Sequence, residues 1–206
     1  MRGIIEQFVA RSVTDEIKIV DEMMRAASRL LLIALGFKQS HLWTLCVYKA
    51  VNDPQTNGVN LVCVAKNRAI DCDITEARIW PAGIGTVGMA YANAREIIVP
   101  DMQAVELGST YDLGDMARAD DKGRYRSIAT VPILVAGGNK PWGVVVATSD
   151  QPHHFYVDEE TGVRTSEAVR SLASMVALAV VVCKPEVGPI NLKTLPKSGT
   201  KVVKKR

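Results

Sequence analysis

The stretch GIGTVGMAYANAREIIVPD (residues 83–101) decides between two folds. Gly83, Gly85 and Gly88 spell G-x-G-x-x-G at what reads as the start of a helix, the spelling of dinucleotide-binding turns. That chemistry makes demands on the flanks. A buried parallel strand must run into the first glycine, a pyrophosphate rests on the helix N-terminus, and an acidic residue about 20 positions on holds the ribose. The lead-in here is ITEARIWPA, with Pro81 two residues before Gly83, and proline cannot donate to a sheet ladder. The acids Asp101 and Glu106 follow the short EIIVP run at irregular offsets. The flanks argue against a nucleotide turn and leave the glycines to be explained by backbone need.

Working outward, the segments on either side read as hairpins. YRSIATVPILVAGGNKPWGVVVATSD (residues 125–150) holds two β-branched runs around Gly137-Gly138-Asn139, a turn signal. HLWTLCVYKAV (41–51) and GVNLVCVAKN (58–67) flank Pro54 and the Asn57-Gly58 pair, a second hairpin. Residues 85–94 predict a short helix rich in small residues, EIIVP a short strand, and 102–125 a long loop or weak helix. A helix over 13–35 carries Val13, Ile17, Val20, Met24, Ala27, Leu31 and Ala34 in heptad alternation, with a second stripe at Ile19, Met23, Ala26, Leu30 and Ile33. Two stripes call for two partners: the protein's own sheet and the same helix of a second chain. Asp158 is the expected cap of a closing helix that reaches Cys183 and presents Val169, Leu172, Ala173, Val176 and Val180. Strands joined by hairpins form an antiparallel sheet. The order therefore predicts an α+β fold, with the terminal helices on one face and the short helix and loops on the other, over a cavity.

Composition sets the surroundings. The chain has 206 residues, 48% hydrophobic, with net charge +3, enough for one domain with a substantial core. Residues 184–206 carry +6, leaving −3 for the remainder. That divides the chain into an N-terminal extension (1–12), a domain (13–183) and a basic, aperiodic tail (184–206) expected to be disordered. The tail invites contact with nucleic acid or anionic lipid, or serves only as a solubilising segment. It lacks aromatic residues for stacking on single strands. No apolar run spans a membrane and no secretory leader is visible at the N-terminus, so a cytoplasmic location is expected. Cys46, Cys63, Cys72 and Cys183 form no C-x-x-C pair, and a reducing compartment is expected in turn.

On these motifs the chain resembles a GAF domain. GIGTVGMAYANAREIIVPDM is similar to that family's glycine-bracketed short helix followed by a strand. YRSIATVPILVAGGNKPWGVVVATS is similar to its central hairpin, and LASMVALAV to its closing helix. The likeness covers about residues 13–183. It implies a GAF/profilin-like antiparallel sheet and a small-molecule pocket walled by the short helix, whose N-terminal amides favour a polar or anionic group.

Projected onto this chain, the resemblance gives a ligand-binding set of Ile84, Val87, Tyr91 and Val99, with Ser127 and Thr130 on a central strand and Asp101 and Arg126 supplying charge. Each also has a plain structural reading as core or paired charge. Arg124 and Arg126 share a strand face and would either clamp an anion or stay solvated. Trp80 and Trp142 would either stack on a planar ligand or plug edges of the fold. No catalytic constellation, cofactor or metal site is expected. His153-His154 reads as a surface loop, because neighbouring strand residues point oppositely and no third ligand is spaced to join them. The positions where free methionine sulfoxide reductases keep cysteines hold Thr86 and Val87.

The resulting expectation is a non-enzymatic sensory or regulatory domain that binds a small molecule, dimerises through its terminal helices and signals to a partner protein. The alternatives are a ligand-free fold used for protein assembly, distinguished by a filled interior, and an enzyme of the sulfoxide reductase type.

Overall fold

The structure, a computed structural model, describes residues 15–54, 56–70, 73–104, 118, 121–136 and 138–183. The expectations for the N-terminal extension, Val13, Cys72, most of the 102–125 segment and the basic tail fall outside these residues.

The first helix, α1 (Glu16–Ala34), starts where Asp15 caps it, its Oδ1 accepting from the amides of Ile17 and Lys18 at 3.0 and 3.3 Å. Two strands follow, β1 (Trp43–Asn52) and β2 (Val59–Arg68). Next come a 3-10 turn (Ile74–Glu76), a two-residue strand β3 (Trp80–Pro81), helix α2 (Gly85–Asn93) and strand β4 (Ile97–Val99). A single helical turn α3 (Asp121–Arg124) leads into β5 (Ser127–Ile133) and β6 (Gly143–Ser149), and α4 (Glu167–Cys183) closes the order.

The strands form one sheet in the order β3-β2-β1-β6-β5-β4, every pair of neighbours antiparallel. The parallel nucleotide-binding alternative is thereby overturned. Pro81 fits because β3 is an edge strand. The sheet's centre is β1 and β6. Strand β5, read as central, lies one strand in from the opposite edge.

Strand alternation sends side chains to two faces. Leu45, Val47, Ala129, Val145 and Ala147 pack under α1 and α4. Tyr48, Ile128, Val144 and Val146 meet Val87, Ala90 and Tyr91 of α2 on the other face. The two apolar stripes of α1 divide differently from the expectation. Val20, Met24, Ala27 and Leu31 are buried, but so are Ile19 and Met23 of the second stripe. In the N-terminal half the two stripes are adjacent columns of one broad face covering the sheet. Ala26, Leu30 and Ile33 of the second stripe turn outward, as do Ile17 and Ala34 at the two ends of the first. Helix α4 begins at Glu167 rather than at Asp158. The Asp158 carboxylate instead accepts from the amides of Glu160 and Thr161 at 3.0 and 2.8 Å and closes a separate turn.

The β1–β2 ladder carries one irregularity. Val47 pairs with Ala65 but Tyr48 pairs with Cys63, so β2 spends an extra residue opposite β1. The bulge switches which residues of β2 face which way. Leu61 and Cys63 face α2 before it. Past it Ala65 faces the helices, and Asn67 donates to Ser28 Oγ of α1 at 2.5 Å.

The glycines of residues 83–88 serve the backbone. Gly83 and Gly85 hold φ of 89° and 60°, a region costly for side chains. At Gly88 a Cβ would stand 2.1 Å from the Pro81 carbonyl oxygen, so only glycine lets α2 lie against β3. Gly88→Ala is expected to destabilise the protein by roughly 1–3 kcal/mol, as overpacking against an unyielding neighbour does. A lowered urea midpoint at unchanged slope checks this.

Candidate functional site

Between the sheet and the α2 side lies a cavity of about 310 Å³. Its floor is set by the register. Thr44 stands opposite Arg68 on one side and Thr148 on the other, and Cys46 stands between Lys66 and Val146. All six border the cavity, as do Tyr48 and Ile128. Without the bulge, strict alternation from Leu61 and Cys63 would bring Ala65 and Asn67 here and turn Lys66 and Arg68 toward α1.

Thr44 and Thr148 are each 6% exposed, and their hydroxyl oxygens are 2.5 Å apart. One hydroxyl proton joins the pair. Arg68 Nη2 donates to the Tyr125 hydroxyl at 3.3 Å. The wall facing the floor is built on Arg78, whose Nη2 lies 3.0 and 2.9 Å from the two carboxylate oxygens of Asp121. These two side chains are 11% and 13% exposed. Asp121 also accepts from the Arg118 amide at 2.8 Å. The Arg78 guanidinium sits 5.0 Å from the Trp80 ring centroid, a cation–π contact, and Trp80 itself borders the cavity. The Arg118 guanidinium reaches the Glu76 carbonyl at 3.4–3.5 Å. Thr86 and Val87, in the first turn of α2, complete one rim.

Burial pushes the Tyr48 hydroxyl well above its ordinary pKa, so it stays neutral. The Cys63 thiol is lowered, chiefly by a hydrogen bond with Cys46, against the opposing effect of burial; Arg68 and Lys66 nearby add attraction for a thiolate.

Of the residues projected from the sequence, the structure brings Val87 to the cavity. The other seven do not border it. Ile84 is the N-cap of α2 and 40% exposed. Tyr91 and Val99 are packed between α2 and the sheet. Asp101 and Arg126 satisfy each other, Nε to Oδ1 at 2.8 Å and Nη2 to Oδ2 at 2.6 Å. Ser127 Oγ accepts from the Phe155 amide at 2.8 Å and lies 3.2 Å from the Val99 carbonyl, tying the loop after β6 to β4 and β5. Thr130 is fully buried, its Oγ1 without a hydrogen-bond partner among the described residues. These residues cluster toward β4 and the far side of α2, whereas the cavity opens over β1, β2 and β6.

The side chains suspected of anion or ring binding also separate. Arg126 is taken by Asp101, and Arg124 lies 5.9 Å from the Tyr125 ring centroid, so the two form no clamp. Trp142 faces the helix side and donates from Nε1 to Glu16 Oε2 at 3.2 Å. His154 is held by its Nε2 contact of 2.8 Å with the Leu35 carbonyl oxygen and by stacking on Phe37. No three His, Cys, Asp or Glu side chains among the described residues converge as metal ligands. Sequence reading passed over Lys66, Arg68 and Arg78. The available signal was the alternation of Thr44, Cys46 and Tyr48 inside an otherwise apolar strand.

Comparison with known proteins places the geometry. The chain matches the GAF domain profile over residues 17–180. Among solved structures it is similar to a free methionine-R-sulfoxide reductase from Neisseria meningitidis in complex with its substrate. That likeness has a TM-score of 0.52 and 19% identity, over 88% of this chain and 89% of that one. It is also similar to a type II free methionine-R-sulfoxide reductase from Thermoplasma acidophilum (TM-score 0.53, 17% identity, 81% and 95% covered). A methyl-accepting chemotaxis protein, residues 122 to 287, gives a TM-score of 0.54 at 16% identity, with 87% and 96% covered. No curated protein matches the chain. Likeness at these identities is likeness of fold.

The Asp101–Arg126 pair yields a pH test. The Arg126 hydrogen bonds hold the Asp101 carboxyl at about 2. Its contribution to stability is therefore full above the unfolded value near 4 and lost as pH falls toward 2. Asp101→Asn should lower the thermal midpoint at pH 6, and the gap from the parent should close between pH 4 and pH 2.

Proposed function

This chain belongs to the GAF domain family, and we propose that it is a sensory or regulatory domain that binds a small molecule between the sheet and α2. It passes the change through α1 and α4 to a partner protein, as a homodimer. The cavity carries the reading. At about 310 Å³ it falls in the range of small-molecule sites, and it combines apolar walls with a few placed polar groups. A fold kept only for assembly has no use for buried threonine hydroxyls and cationic side chains around open space, because each costs desolvation.

Strand β1 touches both layers. Thr44, Cys46 and Tyr48 face the cavity, and Leu45 and Val47 lie under the helices, so a ligand that shifts β1 acts directly on the packing of α1. The dimer is supported by the apolar side chains the helices leave outside: Leu30 and Ile33 on α1, 66% and 70% exposed, and Leu178 on α4, 54% exposed.

Native mass spectrometry of the protein purified from its own host tests both parts. Two copies with a retained small molecule are expected, and Leu30→Glu with Ile33→Glu should give monomers that keep the ligand. A monomeric, empty parent protein would sink the reading.

A second reading, reduction of a sulfoxide, is favoured by one observation: Cys46 borders the cavity, and its hydrogen bond lowers the pKa of the free Cys63 thiol. In that reaction the two thiols lose two electrons and two protons and form a disulfide, while the sulfoxide becomes a sulfide and water. Under the sensory reading, thioredoxin-coupled turnover of free methionine sulfoxide stays at background for the parent and for Cys46→Ser alike. Parent turnover that Cys46→Ser abolishes would transfer the assignment to the reductase.

A further inference from the structure

Two places on the cavity lining hold donors that nothing around them uses. The first is on the wall. The Arg78 guanidinium and the Asp121 carboxylate do not meet fork to fork. Nη2 alone spans both oxygens, at 3.0 and 2.9 Å, and the Nε–H is buried without a hydrogen-bond partner among the described residues. The Arg126–Asp101 pair shows the alternative, with Nε and Nη2 each serving one oxygen. A buried donor left unpaired keeps its full desolvation cost. Arg78 borders the cavity, so an acceptor on a guest can relieve that cost.

The second is on the floor. The Thr44 and Thr148 hydroxyls bring two protons, and their mutual bond uses one. Neither hydroxyl makes another hydrogen bond among the described residues. Both residues border the cavity and are 6% exposed. A hydroxyl carries no charge, so this place asks for an acceptor and not for an anion. The charged groups of the lining point the same way. Asp121 is neutralised by Arg78. Lys66 and Arg68 already have partners within the protein, and Glu76 is exposed to solvent. An ionic guest would have to draw a charge away from a standing partner. Tyr48, Trp80, Val87, Met102, Ile128 and Val146 supply apolar and aromatic surface to the same cavity, and burial keeps the Tyr48 hydroxyl neutral.

Resting on the reading of the cavity as a ligand site, we propose that its ligand is an uncharged, flat molecule with two carbonyl acceptors, of the class of cyclic imides and diones. One carbonyl takes the Arg78 Nε–H and the other takes the spare hydroxyl proton of the Thr44–Thr148 pair. Carbonyl lone pairs lie in the plane of the group. Both bonds therefore form at the edge of the ring, and its faces are left for the apolar and aromatic walls. A carbonyl also leaves water at far lower cost than a carboxylate or an ammonium does.

Isothermal titration calorimetry with three probes tests the class. N-methylphthalimide carries two carbonyls on a flat ring, N-methylisoindolinone has one of them replaced by a methylene, and N-methylphthalamate is the ring-opened anion. The imide should bind about tenfold more tightly than either of the others, as the loss of one hydrogen bond to a buried donor predicts. Arg78→Lys leaves Asp121 a cation and removes the Nε–H. Thr44→Val combined with Thr148→Val removes both hydroxyls at constant shape and orphans neither. Each variant, once shown to keep the parent's far-ultraviolet spectrum and cooperative melting, should weaken the imide about tenfold. Should Arg78→Lys fail to fold, the threonine variant and the probe series decide. Equal binding of the isoindolinone, equal or tighter binding of the phthalamate, no effect of a folded variant, or no binding of any probe would each overturn the assignment. The sensory reading fails separately, on an empty protein by native mass spectrometry, so a retained ligand that is charged would refute this inference and leave the broader one standing.

Discussion

The arrangement of the site depends on a one-residue mismatch between β1 and β2. Side chains on a strand alternate with period two, so a single extra residue exchanges the faces of everything beyond it. Between Val47 and Tyr48 the pairing partner on β2 jumps from Ala65 to Cys63. The exchange gives both layers what they can hold. Ala65 fits flat beneath α1, and Asn67 finds Ser28. Lys66 and Arg68 pass to the cavity side, where polar neighbours and open space accept charge. The regular alternative would push two cations against Val20, Met24 and their neighbours, and burying unpaired charge in such a layer is among the costliest errors a fold can make.

The wall opposite that floor is held by electrostatics rather than by regular secondary structure. Residues 74–80 and the α3 turn are short and irregular, and little hydrogen-bonded ladder fixes them. The half-buried Arg78–Asp121 pair supplies the link, with both carboxylate oxygens engaged and the guanidinium resting on Trp80. Such a pair adds little net stability over an apolar substitute, yet removing one partner strands the other in low dielectric. Its value here is geometric. It ties the 74–80 segment to the α3 turn, and so holds the two pieces of the wall together.

The fold was legible in the sequence because its signals are local. Hairpin turns at Asn57-Gly58 and near Gly138, the apolar periodicity of α1 and the small-residue α2 each declare themselves locally, and antiparallel pairing results. The site was legible only in outline. A pocket beneath α2 is implied by the family likeness, but its occupants depend on the bulge, and VCVAKNR contains no glycine or proline to mark one. Asp101 and Arg126 were visible as charges. That they satisfy each other depends on the sheet placing Met102 beside Arg126, where the Met102 amide donates to the Arg126 carbonyl at 2.6 Å. Asp158 misled for a related reason: a carboxylate ahead of apolar periodicity caps a turn as readily as a helix.

The glycines of residues 83–88 show why a spelling can match without its chemistry. In a dinucleotide turn the first glycine permits the tight turn, the second lets the backbone approach a pyrophosphate, and the third permits close packing of helix on strand. Two of those needs recur here. Gly83 turns the chain off an edge strand with φ of 89°, and Gly88 leaves room for the Pro81 carbonyl. The middle position differs. Gly85 holds φ of 60° to enter α2, and the strand before it is antiparallel to its neighbour. A phosphate-binding crevice forms outside the carboxyl ends of parallel strands, so this turn lacks the crevice whatever its letters. What the glycines secure instead is the close seating of α2 against β3, which sets Thr86 and Val87 at the rim of the cavity.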